Sequence, residues 1–263
     1  MIPGRYIAEW KQEVLWPEDT QVELDLLITR AIIAIFSDDY LRDTLAFRGG
    51  TALHKLFMRT GARFSEDIDL VQINPGPIGP VVDRLREILG FIESTRINVD
   101  RNIHMTTLHY RFVGESSMAP LMKLKIEINC REHKNVYPYI KKPVRMKNSW
   151  FNGETNVVTY QPEELLGTKL RALYQRSKGR DLFDLWYALT HLAPDAERLL
   201  TTFKKYTQNT GLEIAKTDFL KNVKLKVQNR DFRNDINGLL RPGLLYDIDQ
   251  AYELIINALI LKI

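Results

Sequence analysis

The 263-residue sequence predicts an α+β protein, in which a mixed β-sheet flanked by helices is followed by a helical C-terminal part. Runs that alternate apolar and polar residues with period two occur before residue 160, which is the pattern of half-buried strands. From residue 162 to the end, apolar residues recur at helical spacing instead. We therefore expect two domains, residues 1–160 and residues 161–263.

Composition restricts the class of protein. Apolar residues make up 44% of the chain and charged residues 27%, as in an ordinary globular protein, and the net charge is only +4. Cys130 is the single cysteine, so an internal disulfide is excluded and a reducing cytoplasm is expected. Neither a signal-peptide pattern nor an apolar run of about 18 residues is present, which predicts no membrane association.

The N-terminal elements can be predicted in order. Residues 1–19 carry Trp10 and Trp16 among charges and suggest a helical arm or a partner-facing extension. Apolar spacing from Thr20 to residue 35 predicts a core helix capped by Thr20. Residues 45–48 read as a short strand, and a helix should start at Pro80 and end at Gly90.

Further strands and helices follow. Strands are expected at residues 96–100, 105–113 and 121–129, and the Asn152-Gly153 pair predicts a hairpin turn before a strand at residues 157–160. Pro162 should open a helix, and Gly179 should start the next one. The sequence of the remaining C-terminal helices indicates no catalytic or binding residues.

One stretch combines features of a catalytic site, the segment FRGGTALHKLFMRTGARFSEDIDLV at residues 47–71. Gly49 and Gly50 lead into a short amphipathic helix, where backbone N–H groups and the helix N-terminus favour a phosphate. Asp67 and Asp69 follow on a strand-like run and point to the same side, where a divalent cation would relieve their repulsion. A phosphate site beside a metal site is the layout of nucleotidyl transfer.

Two sequence matches resemble a known family. The strings GGTAL and RFSEDIDL, with sixteen residues between Gly50 and Asp67, resemble the AbiEii/AbiGii toxin family of the nucleotidyltransferase superfamily. A second match, KLRALYQRSKGRDLFDLWYAL at residues 169–189, resembles the other signature of that family. The resemblance implies a nucleotidyltransferase core, two Mg²⁺ ions, an NTP substrate, an RNA acceptor such as the tRNA 3′ end, and a cognate AbiEi-like antitoxin that neutralises a toxin of the abortive-infection type.

The resemblance also implies roles for individual residues. Asp67 and Asp69 would hold the metal ions together with Glu127, which lies on the polar face of the 121–129 strand. The alternative for Glu127 is an ordinary solvated side chain. Asp184 is either an ion-pair partner of Arg180 at a helix surface or a residue that orients Lys169 or Arg176. The residues expected to bind the nucleotide are Gly49, Gly50, Thr51, Ser65, Lys169 and Arg176. The Lys169 ammonium is expected to reach a cavity.

The acceptor is predicted from a basic segment without acidic residues, residues 133–153. This segment either binds RNA or is an ordinary solvated surface. Its charged and aromatic members are Lys134, Lys141, Lys142, Arg145, Lys147, Tyr137, Tyr139 and Trp150. His54 is expected at the surface. The alternatives to an RNA acceptor are a small molecule or a protein side chain, and a binding module without catalysis is a further alternative.

Overall fold

The computed structural model describes residues 2–58, 61–94, 96–115, 121–209, 211 and 213–263. It divides into two compact units, residues 1–160 and residues 161–263. The helices of the first unit are α1 (Gly4–Trp10), α2 (Asp19–Ser37), α3 (Asp39–Thr44), α4 (Gly49–Leu56) and α5 (Gly79–Ile88). Its strands are β1 (Leu45–Arg48), β2 (Asp67–Gln72), β3 (Arg96–Arg101), β4 (Met105–Phe112), β5 (Met122–Asn129), β6 (Ile140–Asn148) and β7 (Phe151–Thr159).

The described strands form one mixed sheet in the order β3-β4-β5-β2-β1-β7-β6. Two pairings are parallel, β2 with β5 and β1 with β7, and the other pairings are antiparallel. The predicted strands at residues 45–48, 67–71, 96–100, 105–113 and 121–129 are therefore confirmed to within one residue at each end. Strands β2 and β5 lie side by side in the middle of the sheet, although 49 residues separate them in the chain.

Helix α2 forms the core of the first unit and packs on β7, β6 and β2. Its inward face is fully buried through Ile28, Ile32 and Ile35. The predicted Thr20 cap is wrong, because the helix begins at Asp19 and a capping box joins Glu18 to Gln21. Helix α5 likewise begins one residue before the expected Pro80, at Gly79.

The N-terminal segment belongs to the core of the first unit and is not a partner-facing extension. It contains the expected helix, but Trp10 and Trp16 are both buried. The Trp10 indole Nε1 donates a 2.9 Å hydrogen bond to Asp25 Oδ1, and Trp16 packs edge to face on Phe64 with ring centroids 5.6 Å apart. Apolar side chains of this size are more stable when buried, and here α2 and the 61–66 loop supply the partners.

The hairpin of β6 and β7 turns earlier than predicted, at Ser149-Trp150. The Asn148 side chain makes the turn by accepting a 2.9 Å hydrogen bond from the Trp150 backbone N–H. Gly153 lies inside β7 opposite Met146, and a Cβ there would come within 2.8 Å of Phe151 Cζ. The glycine therefore allows close approach of a ring and does not form a turn.

The second unit is helical in all its described regular elements. They are α6 (Pro162–Gln175), α7 (Gly179–His191), α8 (Ala196–Gln208), α9 (Lys216–Gln228), α10 (Arg230–Asn234), α11 (Ile248–Ala258) and a final 3₁₀ turn (Ile260–Lys262). Helix α6 packs on α7, α8 and α9, and the predicted starts at Pro162 and Gly179 are confirmed. Among the described helices of both units, none combines the length and the hydropathy needed to cross a bilayer.

Candidate active site

Strands β2 and β5 bring the three predicted carboxylates to one face of the sheet. The parallel register pairs Asp69 with Glu127 and Asp67 with Lys125. Along β2 the side chains of Ile68 and Leu70 are buried, whereas Asp67 and Asp69 are half-buried, as the period of two requires. The two aspartates and Glu127 therefore share the polar face of the central strands.

Lys125 lies between two of these carboxylates. Its ammonium Nζ is 3.1 Å from Asp67 Oδ2 and 3.1 Å from Glu127 Oε2. Burial lowers the pKa of Lys125, but attraction and hydrogen bonding to Asp67 and Glu127 outweigh it, so the pKa stays above its ordinary value. Sequence analysis gave no role to Lys125, which lies two residues before Glu127 on β5. Its period-two spacing within the KIE triplet was the available signal.

Gly49 lies directly against Asp69. The antiparallel register of β1 and β2 pairs Arg48 with Asp69, and the chain turns into α4 at Gly49 with a φ of +78°. A Cβ at Gly49 would lie 2.0 Å from Asp69 Oδ2. Both the left-handed backbone and the close carboxylate exclude larger residues here. The N-terminus of α4 thus begins beside the metal-binding candidate Asp69, as nucleotidyl transfer requires.

Hydroxyl groups connect α4 to the start of β2. Thr51 Oγ1 lies 2.7 Å from Ser65 Oγ and donates a 2.5 Å hydrogen bond to the Asp67 carbonyl oxygen. Thr51 and Gly50 are buried, while Ser65 is half-buried. These contacts fix the position of the glycine helix relative to Asp67. The assignment of Gly50, Thr51 and Ser65 to the nucleotide stays a prediction.

Arg48 is a cation near the site that sequence analysis missed. Its guanidinium Nη1 forms a 2.6 Å ion pair with Glu132 Oε2 and lies over the Tyr160 ring. The side chain is mostly buried, which a lone arginine before two glycines does not reveal in a sequence. His54 was expected at the surface, and this is wrong, because the side chain is only 4% exposed on the inner side of α4.

The second unit contains a buried ion cluster. Lys169, 8% exposed on α6, places its ammonium Nζ 3.0 Å from Asp181 Oδ1 and 2.9 Å from Asp184 Oδ2. Both aspartates lie on α7 and are fully buried. Of the two alternatives for Asp184, the ion pair with Arg180 at a helix surface is therefore wrong, since Asp184 is buried and Arg180 pairs with Asp235. Asp184 instead contacts Lys169, which is the geometry of a positioning residue.

Asp181 is the centre of this cluster. Arg176, with a side chain 54% exposed, binds it in a bidentate manner through Nε at 2.7 Å and Nη2 at 2.8 Å. Burial raises the pKa of Asp181, but the charges of Lys169 and Arg176 outweigh burial and hold that pKa below its ordinary value. Sequence analysis did not assign Asp181 a role, because helical spacing alone cannot show that its side chain faces Lys169.

The basic segment is only partly available for an acceptor. Lys141, Arg145 and Lys147 alternate on the exposed side of β6, although Arg145 also pairs with Glu154 at 2.8 Å. Three other members pack against residues of the first unit: Lys142 lies over the Phe57 ring, Tyr139 contacts Tyr160, and Trp150 contacts Phe91 and Arg30. The expected stacking role of Tyr139 and Trp150 is therefore not supported by their packing.

The carboxylates of the central strands do not form a closed metal site. Within the described ranges, no three or more His, Cys, Asp or Glu side chains are gathered closely enough to hold a metal as they stand. Asp67 and Glu127 nevertheless converge on one cation, the Lys125 ammonium. Carboxylate oxygens are the ligands that Mg²⁺ prefers, so the donor set fits that ion once the ammonium withdraws.

The chain is similar to known proteins in fold and in sequence. Structures with the same fold include MenT4, a nucleotidyltransferase toxin from Mycobacterium tuberculosis H37Rv, with a TM-score of 0.60, 15% identity, and coverage of 97% of this chain and 86% of MenT4. A candidate nucleotidyltransferase from H. pylori has a TM-score of 0.54, 18% identity, and coverage of 90% and 91%. These likenesses confirm the predicted nucleotidyltransferase fold, whereas no curated protein matches the sequence. The model of the AbiEii nucleotidyl transferase toxins matches residues 30–254, which is most of the sequence, and the chain therefore belongs to this family of type IV toxin–antitoxin systems.

Proposed function

We propose that this nucleotidyltransferase transfers a nucleotide from an NTP to the 3′ end of an RNA, in particular a tRNA, in a metal-dependent reaction that blocks translation. A cognate antitoxin of the AbiEi type would restrain it. The observation that carries the proposal is the juxtaposition of Asp67, Asp69 and Glu127 on one sheet face, with Gly49 in contact with Asp69. Carboxylates beside a glycine-led helix N-terminus suit a metal-bound triphosphate.

Asp67 and Asp69, with Glu127, are the proposed ligands of two Mg²⁺ ions. Bound there, the ions would lower the pKa of the acceptor hydroxyl and neutralise charge on the triphosphate. Glu127 is half-buried and faces the same side as both aspartates, so it can also accept the proton of the attacking hydroxyl. In the transfer the hydroxyl oxygen bonds to the α-phosphorus, and the bond to the leaving pyrophosphate breaks.

In the first unit, the glycines at the start of α4 are proposed to bind phosphates of the nucleotide. Gly49 and Gly50 present the backbone N–H groups of the first turn of α4, which attract the phosphates. In the second unit, Lys169 and Arg176 are the residues proposed to contact phosphate, and the Arg176 side chain is 54% exposed. Asp184 is proposed to position Lys169, because it contacts the ammonium and is itself fully buried.

RNA is favoured over a small or protein acceptor by the exposed side of β6. Lys141, Arg145 and Lys147 lie four and two residues apart there, so they point to the same side of an edge strand. A row of cations matches the regular spacing of backbone phosphates. A small acceptor would not require such a row.

The test is incorporation of each α-labelled NTP into total RNA by the purified protein. Asp69→Asn should lose at least about a hundredfold in rate, because a carboxylate ligand of the metal is replaced by a neutral amide. Asp83→Asn, the same change at an exposed position of α5, is the matched control and should retain the wild-type rate. The labelled product should migrate as tRNA.

Three results would contradict the proposal. Wild-type incorporation by Asp69→Asn would exclude the assigned metal site, and incorporation in excess EDTA would exclude metal dependence. Label found in protein or in a small molecule, with none in RNA, would replace the RNA acceptor by one of the alternatives. In each case the Asp83→Asn variant shows whether the preparation itself is active.

A further inference from the structure

We propose that Lys125 is an internal competitor for the divalent cation of the active site, which neutralises the carboxylates in the metal-free protein and must be displaced when the metal binds. This inference rests on the proposed function, because it concerns the metal site assigned there. It goes beyond that function by giving a role to a cation of the chain itself. The role is to set how tightly the site holds its metal.

The position of Lys125 is fixed by the backbone. It is the register partner of Asp67 across the parallel β2–β5 pair, and it precedes Glu127 by two residues on the same face of β5. The ammonium consequently lies at the same distance, 3.1 Å, from one oxygen of each carboxylate. Its side chain is only 34% exposed, so these are not the variable contacts of a surface lysine.

A metal ion and this ammonium cannot use the same oxygens together. A divalent ion bound to Asp67 and Glu127 would lie within contact distance of a positive charge, and like charges at such distances repel strongly in a partly buried site. The four-carbon stem of lysine allows the ammonium to withdraw without a backbone change. Metal binding therefore includes the loss of two ion pairs, and it is weaker than in a site without Lys125.

A purely supporting role would have the opposite consequence. If Lys125 only held the two carboxylates in place for the metal, its removal would loosen the ligands and weaken metal binding. If it only bound a phosphate of the substrate, its removal would leave the affinity for the metal alone unchanged. The sign of the change in metal affinity therefore distinguishes competition from both alternatives.

The experiment measures Mn²⁺ binding without nucleotide, by the electron paramagnetic resonance signal of free Mn²⁺. Lys125→Met keeps an unbranched side chain but removes the charge, and it should bind Mn²⁺ at least about tenfold more tightly than the wild type. Lys123→Met is the matched control, because Lys123 lies two residues earlier on the same face of β5 but pairs in register with Arg111. It should change the affinity by no more than about twofold.

Melting gives a second readout. Without metal, Lys125→Met should melt at a lower temperature than the wild type, because the carboxylates lose their counter-charge. With saturating Mn²⁺ its melting temperature should rise by more than that of the wild type, as expected for tighter binding to the folded state. Lys125→Gln provides the same measurements if the Met variant does not fold.

Unchanged or weaker Mn²⁺ affinity in both Lys125 variants would overturn the inference. Asp67→Asn separates this failure from a failure of the proposed function. If Asp67→Asn weakens Mn²⁺ binding while the Lys125 variants do not tighten it, the metal site stands and the competition does not exist. If Asp67→Asn leaves Mn²⁺ binding unchanged, the ion binds elsewhere, and both the inference and the proposed metal site are wrong.

Discussion

The buried ion cluster of the second unit leads us to expect that Lys169 contributes strongly to stability. We expect Lys169→Met to destabilise the protein strongly, because it removes an ammonium that contacts two fully buried carboxylates, Asp181 and Asp184. Arg176 would still bind Asp181 in a bidentate manner, but Asp184 would lose its contact with Lys169. A buried carboxylate without that counter-charge is unfavourable in a low-dielectric environment.

The magnitude follows from the burial. Removing one partner of a buried ion pair costs about 3–5 kcal/mol, whereas an exposed pair contributes at most about 1 kcal/mol. Since whole domains are stable by only about 5–15 kcal/mol, the loss is a large fraction of the total. Lys178→Met is the matched control, because Lys178 is 48% exposed and its ammonium lies 3.5 Å from Asp235.

Urea denaturation of Lys169→Met, Lys178→Met and the wild type measures these free energies of unfolding. The double variant Lys169→Met/Asp184→Asn should recover part of the loss, because the amide needs no counter-charge. Lys169→Arg keeps the positive charge, so a fall in single-turnover rate in this variant would report on chemistry more than on folding. The reasoning would be refuted if Lys169→Met cost no more stability than Lys178→Met.

Three further predictions concern the other sites. Gly49→Ala should reduce turnover at least about a hundredfold, because the added Cβ would lie 2.0 Å from Asp69 Oδ2 and the left-handed backbone is unfavourable for alanine. Steady-state rates that match the wild type would contradict this. Burial lowers the pKa of Lys226 from 10.5 to about 8, so the unfolded state binds the extra proton between these values and stability should rise with pH across that window. Lys226→Met should lack this rise in thermal melts from pH 7 to pH 10, and a rise equal to that of the wild type would exclude Lys226 as its source. Joint replacement of the exposed β6 cations Lys141, Arg145 and Lys147 by Ala should weaken RNA binding and reduce its dependence on salt concentration. An unchanged salt dependence would show that this strand is an ordinary solvated surface.

The regular elements of the fold could be predicted because their signals are local. Period-two alternation identified β2 and β5, and proline and glycine at helix starts identified α6 and α7. The hairpin turn was misplaced because Asn-Gly normally indicates a turn, whereas here an Asx turn at Asn148 comes first and Phe151 covers Gly153. The burial of Trp10 and Trp16 depends on contacts with distant residues, which no local pattern contains.

The candidate site was predictable in its carboxylates but not in its counter-charges. Asp67, Asp69 and Glu127 could be recognised because alternation along a strand determines which side chains share a face. The pairing of Lys125 with Asp67 depends on the register between β2 and β5, and the contact of Asp184 with Lys169 depends on how α6 and α7 pack. Both are set by tertiary structure, so sequence spacing alone left open whether Asp184 pairs with Arg180 or orients Lys169.

The central position of β2 and β5 also determines how the site can be disturbed. Each strand has a hydrogen-bonded neighbour on both sides, β1 and β4 being the outer partners of the pair, so neither can fray at an open edge. Amide hydrogens in such strands exchange with solvent only through opening events whose free energy approaches that of global unfolding. We therefore expect slow amide exchange in the strands that carry the carboxylates. A ligand that blocks this site is therefore expected to cover the polar face of the sheet and not to deform the strands.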